Sequence, residues 1–174
     1  MQNILVVVDM QNDFIDGSLG TKEAAAIVPK VQEKISGSRN NGDQIIFTRD
    51  THFDNYLETQ EGKNLPVPHC IKGTAGWEIT EKLDVRATDL IIDKISFGFD
   101  WAGAIARTPG LIQGDAVELV GLCTDICVIS NALSLKTALP EIPISVDASC
   151  CAGVTPESHA NALEAMKMCQ IEII

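Results

Sequence analysis

Valine and isoleucine gather in six short runs along the chain, at residues 3–9, 44–48, 89–94, 116–120, 142–146 and 171–174. Most of these runs are apolar at consecutive positions, not at alternate ones. A strand covered on one face alternates, whereas a strand covered on both does not. The runs therefore predict buried strands. Between them, helical segments are predicted over residues 22–38, 76–83, 101–107, 124–138 and 156–168. Thr21 is placed to cap the first, which ends near Asn41-Gly42, and Pro140 stops the fourth. The last opens with Thr155 as N-cap, Pro156 at the first helical position and Ser158 soon after. Strands alternating with helices in this way predict a three-layer, Rossmann-like α/β fold, with a six-stranded, mainly parallel sheet and helices on both faces. No repeat, low-complexity tract or linker divides the chain, so one domain over residues 1–174 is expected. Only residues 49–74 break the pattern. They mix Asp, His, Asn, Glu and Gly with a Pro-Val-Pro stretch and have no period. A loop this long inside a compact domain is usually functional.

Composition narrows the function classes. The formal net charge of −11 repels phosphate backbones and anionic lipid, so neither nucleic acid nor a membrane surface is an expected partner. No apolar stretch is long enough to span a bilayer. The N-terminal Met1-Gln2-Asn3-Ile4-Leu5 lacks a basic region and a small-residue cleavage site. It reads as the start of a buried strand, and a cytoplasmic location is expected. The six cysteines include no C-x-x-C pair. In a reducing compartment they are expected to be free thiols, mostly acting as small buried hydrophobes. A reactive one has to be recognised by its surroundings.

In open parallel sheets ligands bind at the carboxyl ends of the strands. Asp9, Asp50, Lys94 and residues 124–127 stand at or just past predicted strand ends. Cys127 falls in the first turn of a helix, where the macrodipole and free N–H groups favour a thiolate and can hold an oxyanion. Position alone suits a core cysteine at least as well. Cys123 is a rival nucleophile, but it precedes the helix, and its backbone N–H is the better oxyanion donor. Asp9 follows only apolar residues, and a carboxylate there needs partners. A structural aspartate bonding the next turn is the plainer alternative, as a snorkelling lysine is for Lys94. Together, carboxylate, ammonium and thiol make an acid–base set for covalent catalysis, with Lys94 favouring the ionised forms of Asp9 and Cys127. Asp50, His52 and His69, with Glu61 from the same loop, supply donors suited to Zn²⁺, Fe²⁺ or Mn²⁺. Alternatively, the two histidines hydrogen-bond within an ordered loop. His159, in Pro-Glu-Ser-His-Ala, reads as structural.

These segments resemble the isochorismatase-like cysteine hydrolases, and among them the nicotinamidases. Val-Asp-Met-Gln-Asn-Asp-Phe at 8–14 looks like the first-strand motif and maps the catalytic aspartate onto Asp9. Asp-Lys-Ile-Ser-Phe at 93–97 resembles the lysine motif and maps it onto Lys94. Gly-Leu-Cys-Thr-Asp-Ile-Cys-Val at 121–128 is similar to the nucleophile motif and assigns Cys127. The resemblance further implies a cis peptide before Cys123 and an oxyanion hole made by the N–H groups of Cys123 and Cys127. Thr-Arg-Asp-Thr-His at 48–52 and Pro-His-Cys-Ile-Lys-Gly-Thr-Ala-Gly at 68–76 resemble the metal and loop segments. They imply one divalent metal, zinc above iron or manganese, on Asp50, His52 and His69, with Glu61 as a further ligand. Phe14, Trp77 and Phe97 are the implied aromatic wall. The implied activity is hydrolysis of a small amide, foremost nicotinamide to nicotinate and ammonia, by a homo-oligomer. Where many nicotinamidases have Asp-Trp-His-Pro, this chain has Asp50-Thr51-His52-Phe53. A carbamoyl or ureido substrate, isochorismate, and a non-catalytic binding or assembly role stay open.

Overall fold

The computed structural model describes residues 3–174; Met1 and Gln2 lie outside them. The elements in chain order are β1 (Ile4–Val8), α1 (Asn12–Ile15), α2 (Lys22–Asn41), β2 (Gln44–Asp50), a 3₁₀ turn (Tyr56–Glu58), α3 (Gln60–Asn64), β3 (Leu90–Lys94) and α4 (Trp101–Arg107). Then follow β4 (Val117–Leu122), a π-helical turn (Thr124–Val128), α5 (Ile129–Ala138), β5 (Ile144–Ala152), α6 (Pro156–Met168) and β6 (Glu172–Ile173). The sheet has six strands in the order β3-β2-β1-β4-β5-β6, and every pair is parallel.

The consecutive apolar residues of β1 have a direct physical reading. Leu5 and Val7 join one core with Ala24, Ile27, Val31 and Ile35 of α2. Ile4, Val6 and Val8 join a second core with Trp101 of α4, Ala132 and Leu135 of α5, and Met166 of α6. Both faces of the strand are covered, so both sets must be apolar. Helix α2 is capped by Thr21, whose side chain accepts the Ala24 N–H, and it ends on Gly42 in the left-handed region. Helix α6 starts with a capping box between Thr155 and Ser158.

The strand order places the site. From β1 the chain builds outward to β2 and β3, then returns to the other side of β1 with β4. Successive connections therefore diverge between β1 and β4, which opens a crevice at their carboxyl ends. Asp9 leaves β1 there, and Cys123 leaves β4 beside it. Gly121 makes this close approach possible. Its φ is 117°, and a methyl group there would overlap the Val8 carbonyl oxygen.

Three expectations need correction. Residues 76–83 form no helix. Their backbone is claimed by the chain leaving β1: Asn12 N–H donates to Glu78, Asp13 N–H to Gly76, Thr80 N–H to Met10, and Gln11 bridges Ile79. The helix expected over 124–138 is two elements, a π-helical turn and then α5. Strand β5 runs on to Ala152, well past residue 146 and through an irregular register against β4.

Gly121→Ala is expected to destabilise the fold by about 3 kcal/mol or more, from forbidden backbone and overlap together. Chemical denaturation measures this; a change below about 1 kcal/mol would contradict the close-approach account.

Candidate active site and metal centre

The crevice between β1 and β4 holds a buried ion cluster. Asp9 has φ 47°, a left-handed conformation that Asp tolerates better than most residues. Its N–H is held by the Thr48 carbonyl at 3.2 Å, and the Thr48 hydroxyl donates to Asp9 Oδ1 at 2.6 Å. Lys94 ends β3 in register with Asp50, which ends β2. Its Nζ lies 2.7 Å from Asp9 Oδ2, 3.5 Å from Asp50 Oδ1, 3.5 Å from Cys127 Sγ and 3.1 Å from the Ser96 carbonyl oxygen. All four of Asp9, Asp50, Lys94 and Cys127 are buried.

Burial decides the protonation of the thiol. Loss of water, with the Asp9 carboxylate beside it, pushes Cys127 well above its ordinary range, and the attraction of Lys94 does not offset this. Lys94 does pull the thiol toward ionisation, as expected, but desolvation outweighs it and the expected thiolate is not favoured overall. The resting group is a thiol beside a base. Asp9 is itself raised, by burial first, with Lys94 pulling the other way. Burial would lower Lys94, but the carboxylates of Asp9 and Asp50 raise it, so the ammonium is charged. The Cys123 thiol is pushed up to about 12, mainly by burial, which disfavours it as the rival nucleophile.

The turn after β4 presents Cys127. The peptide between Leu122 and Cys123 is cis, as the family resemblance implied. The Cys123 carbonyl accepts the N–H groups of Ile126 at 3.1 Å and Val128 at 3.0 Å. Asn131 donates to the Cys127 carbonyl at 2.8 Å and accepts from the Trp101 indole at 2.9 Å, tying the turn to α4.

Asp50, His52, Glu61 and His69 bring one donor atom each within 4.8 Å of one another, a group able to hold a divalent metal. Two details of the donors suit a cation. His69 Nδ1 lies 2.8 Å from the Val67 carbonyl, which can only accept, so Nδ1 donates there and Nε2 faces Asp50 and Glu61. His52 Nε2 is buried without an aligned hydrogen bond, although Asp50 Oδ2 is 3.2 Å and Glu61 Oε1 3.5 Å away. Burial works to raise Asp50, but His52, Lys94 and His69 outweigh it and hold the carboxyl below its usual range, as an anionic ligand requires.

A cavity of about 620 Å³ connects the two groups, and Cys127, Cys123, Asp50, Glu61 and His69 all line it. Phe14 and Phe97 are in its wall as expected. Trp77 is not. Its indole N–H donates to Thr51 at 2.9 Å and its ring lies 3.6 Å under the Arg49 guanidinium, so it braces the end of β2 instead. Gln11 went unrecognised in the sequence. Its buried amide pairs with both backbone groups of Asp50, at 2.9 and 2.7 Å, and also donates to the Trp77 carbonyl. The signal was a glutamine two residues past the strand-end aspartate, in a turn where an exposed side chain is the usual reading.

A thiol, a carboxylate and an ammonium at the switch point of a parallel sheet, opening on a cavity shared with a metal-ligand group, define a class of α/β proteins equipped for covalent chemistry. Residues 3–174 match the model of the Isochorismatase domain, and the chain belongs to that family. It is 26% identical to the nicotinamidase/pyrazinamidase of Mycobacterium tuberculosis, over 98% of this chain and 97% of that protein. The structure of the pyrazinamidase of Pyrococcus horikoshii in complex with zinc superposes with a TM-score of 0.85 at 31% identity, covering 100% of this chain and 99% of that one. The pyrazinamidase/nicotinamidase of Streptococcus mutans gives 0.84 at 28% identity, over 99% and 100%. Among the described residues, no helix is long and apolar enough to cross a membrane.

Exchanging both histidines, His52→Ala with His69→Ala, is expected to lower bound divalent metal from near one per chain by about tenfold or more. Elemental analysis after gel filtration measures this; unchanged metal content would rule out the quartet as the site.

Proposed function

We propose that the protein is a cysteine amidohydrolase that converts nicotinamide to nicotinate and ammonia. The observation that carries this reading is the placement of Lys94 Nζ, 2.7 Å from Asp9 Oδ2 and 3.5 Å from Cys127 Sγ, with Cys127 lining a cavity that also reaches Asp50, Glu61 and His69. Asp50, His52, Glu61 and His69 would hold one divalent metal, zinc in preference to iron or manganese. When bound, the metal would supply a Lewis acid facing the substrate ring. Phe14 and Phe97 would flank the ring.

The steps belong to the chain's own residues. Asp9 accepts the thiol proton as Cys127 Sγ forms its bond to the carboxamide carbon. The backbone N–H groups of Cys123 and Cys127 receive the developing oxyanion. Asp9 returns the proton to the nitrogen, the C–N bond breaks and ammonia leaves, with the acyl group held on Cys127 as a thioester. A water then gives one proton to Asp9 as its oxygen attacks the thioester carbon; the C–S bond breaks, Asp9 passes that proton to the sulfur to restore the thiol, and the acid leaves and loses its remaining proton to solvent. Lys94 balances the charge of Asp9 throughout. Burial raises Asp9 above the ordinary carboxylate range, which is the direction that helps a group that must both take and give a proton.

Ammonia release from nicotinamide by the metal-loaded protein tests the reading. Cys127→Ala is expected to lower turnover on the order of 10³-fold or more, and Asp9→Asn by roughly 10²–10⁴-fold. Near-native turnover in either variant would refute the assigned roles. Release from a carbamoyl or ureido compound but none from nicotinamide would keep the cysteine chemistry and replace the substrate.

A further inference from the structure

We propose that His159 is a positioning residue for the turn that carries Cys127, acting through the hydroxyl of Thr124. The inference rests on the cysteine-hydrolase reading of that turn. Thr124 follows Cys123 directly and is fully buried, so its hydroxyl needs a partner within the protein. His159 Nδ1 supplies one at 2.7 Å from a position 35 residues away. His159 sits in the first turn of α6, whose start is fixed by the Thr155–Ser158 capping box. Burial holds the imidazole below its ordinary pKa, so it is a neutral ring.

The next residue of the turn is tied to the same region. Both carboxylate oxygens of Asp125 accept the Val154 N–H, at 3.2 and 3.1 Å. Gly153 passes so close to α6 that a β-carbon there would lie 2.9 Å from the Cβ of His159. Residue 124 is thus fastened to the first turn of α6 and residue 125 to the segment joining β5 to α6.

The fastening matters because of the turn's shape. Thr124–Val128 is π-helical, closed by the Val128 N–H on the Cys123 carbonyl at 3.0 Å. Such turns are wider and rarer than α-helical ones, and they recur at functional sites. Contacts outside the turn can hold it open against relaxation to α-helical spacing. Relaxation would shift the N–H groups of Cys123 and Cys127 and the Cys127 sulfur relative to Asp9. Neither Thr124 nor His159 lines the cavity, so both act through the backbone and not on the substrate.

The test compares His159→Leu, Thr124→Val, the double variant and His159→Asn, whose amide can replace Nδ1. With nicotinamide, kcat is expected to fall roughly tenfold to a hundredfold in His159→Leu while KM moves less than about twofold. Thr124→Val, which keeps the side-chain shape and removes the hydroxyl, is expected to match it. The double variant should be no worse than either single one, and His159→Asn should recover most of the loss. In parallel, the rate of Cys127 alkylation by iodoacetamide, resolved from Cys123 by fragment-ion mass spectrometry, is expected to fall in the same order. This second measurement needs no turnover, so a failure of the nicotinamide reading leaves the positioning claim testable. Native kcat and alkylation rate in folded Thr124→Val would overturn the proposal. So would a His159→Asn variant as impaired as His159→Leu.

Discussion

The site depends on one buried ammonium. Lys94 is 2% exposed and is surrounded by two carboxylates, a thiol and a carbonyl. An unpaired charge at that depth would cost several kcal/mol, and removing one partner of a buried pair typically costs about 3–5 kcal/mol. The arrangement is therefore self-supporting. Lys94 needs Asp9 and Asp50 to stay charged in the interior, and the carboxylates need Lys94. The same constraint sets the chemistry, because it leaves a carboxylate next to a thiol that burial keeps protonated.

Lys94 also links the two halves of the crevice. Asp9 and Cys127 belong to the acid–base side and Asp50 to the metal-ligand side, with Lys94 within 3.5 Å of all three. Gln11 reinforces the link from behind by pairing its amide with the backbone of Asp50. The loop over residues 49–74 then adds Glu61 and His69, and α3 within it is capped by the Thr59 side chain on the Gly62 N–H. The end of an interior strand, a buried amide and one capped turn thus hold four donors from distant positions together.

Much of this was legible in the sequence, for a definite reason. Polar residues directly after apolar runs mark strand ends, and a parallel sheet brings such ends to one rim. That argument alone placed Asp9, Asp50, Lys94 and Cys127 together. It failed where partners lie far apart in sequence. The backbone of 76–83 is captured by residues 10–13, and Trp77 turns away from the cavity to stack under Arg49, which no local period reveals. The protonation of Cys127 is not legible in sequence, because a helix terminus is visible there whereas full desolvation is a property of the packed fold. His159 gave no sign of its bond to Thr124, for the same reason of distance.

The central claim is that Cys127 carries the acyl group. Acid-quenching the metal-loaded protein at millisecond intervals during turnover of nicotinamide, followed by peptide mass spectrometry, tests it most directly. The account predicts a nicotinoyl thioester on Cys127 that appears before free nicotinate builds up. Turnover with the acyl group on Cys123, or with no acylated peptide at any quench time, would contradict it.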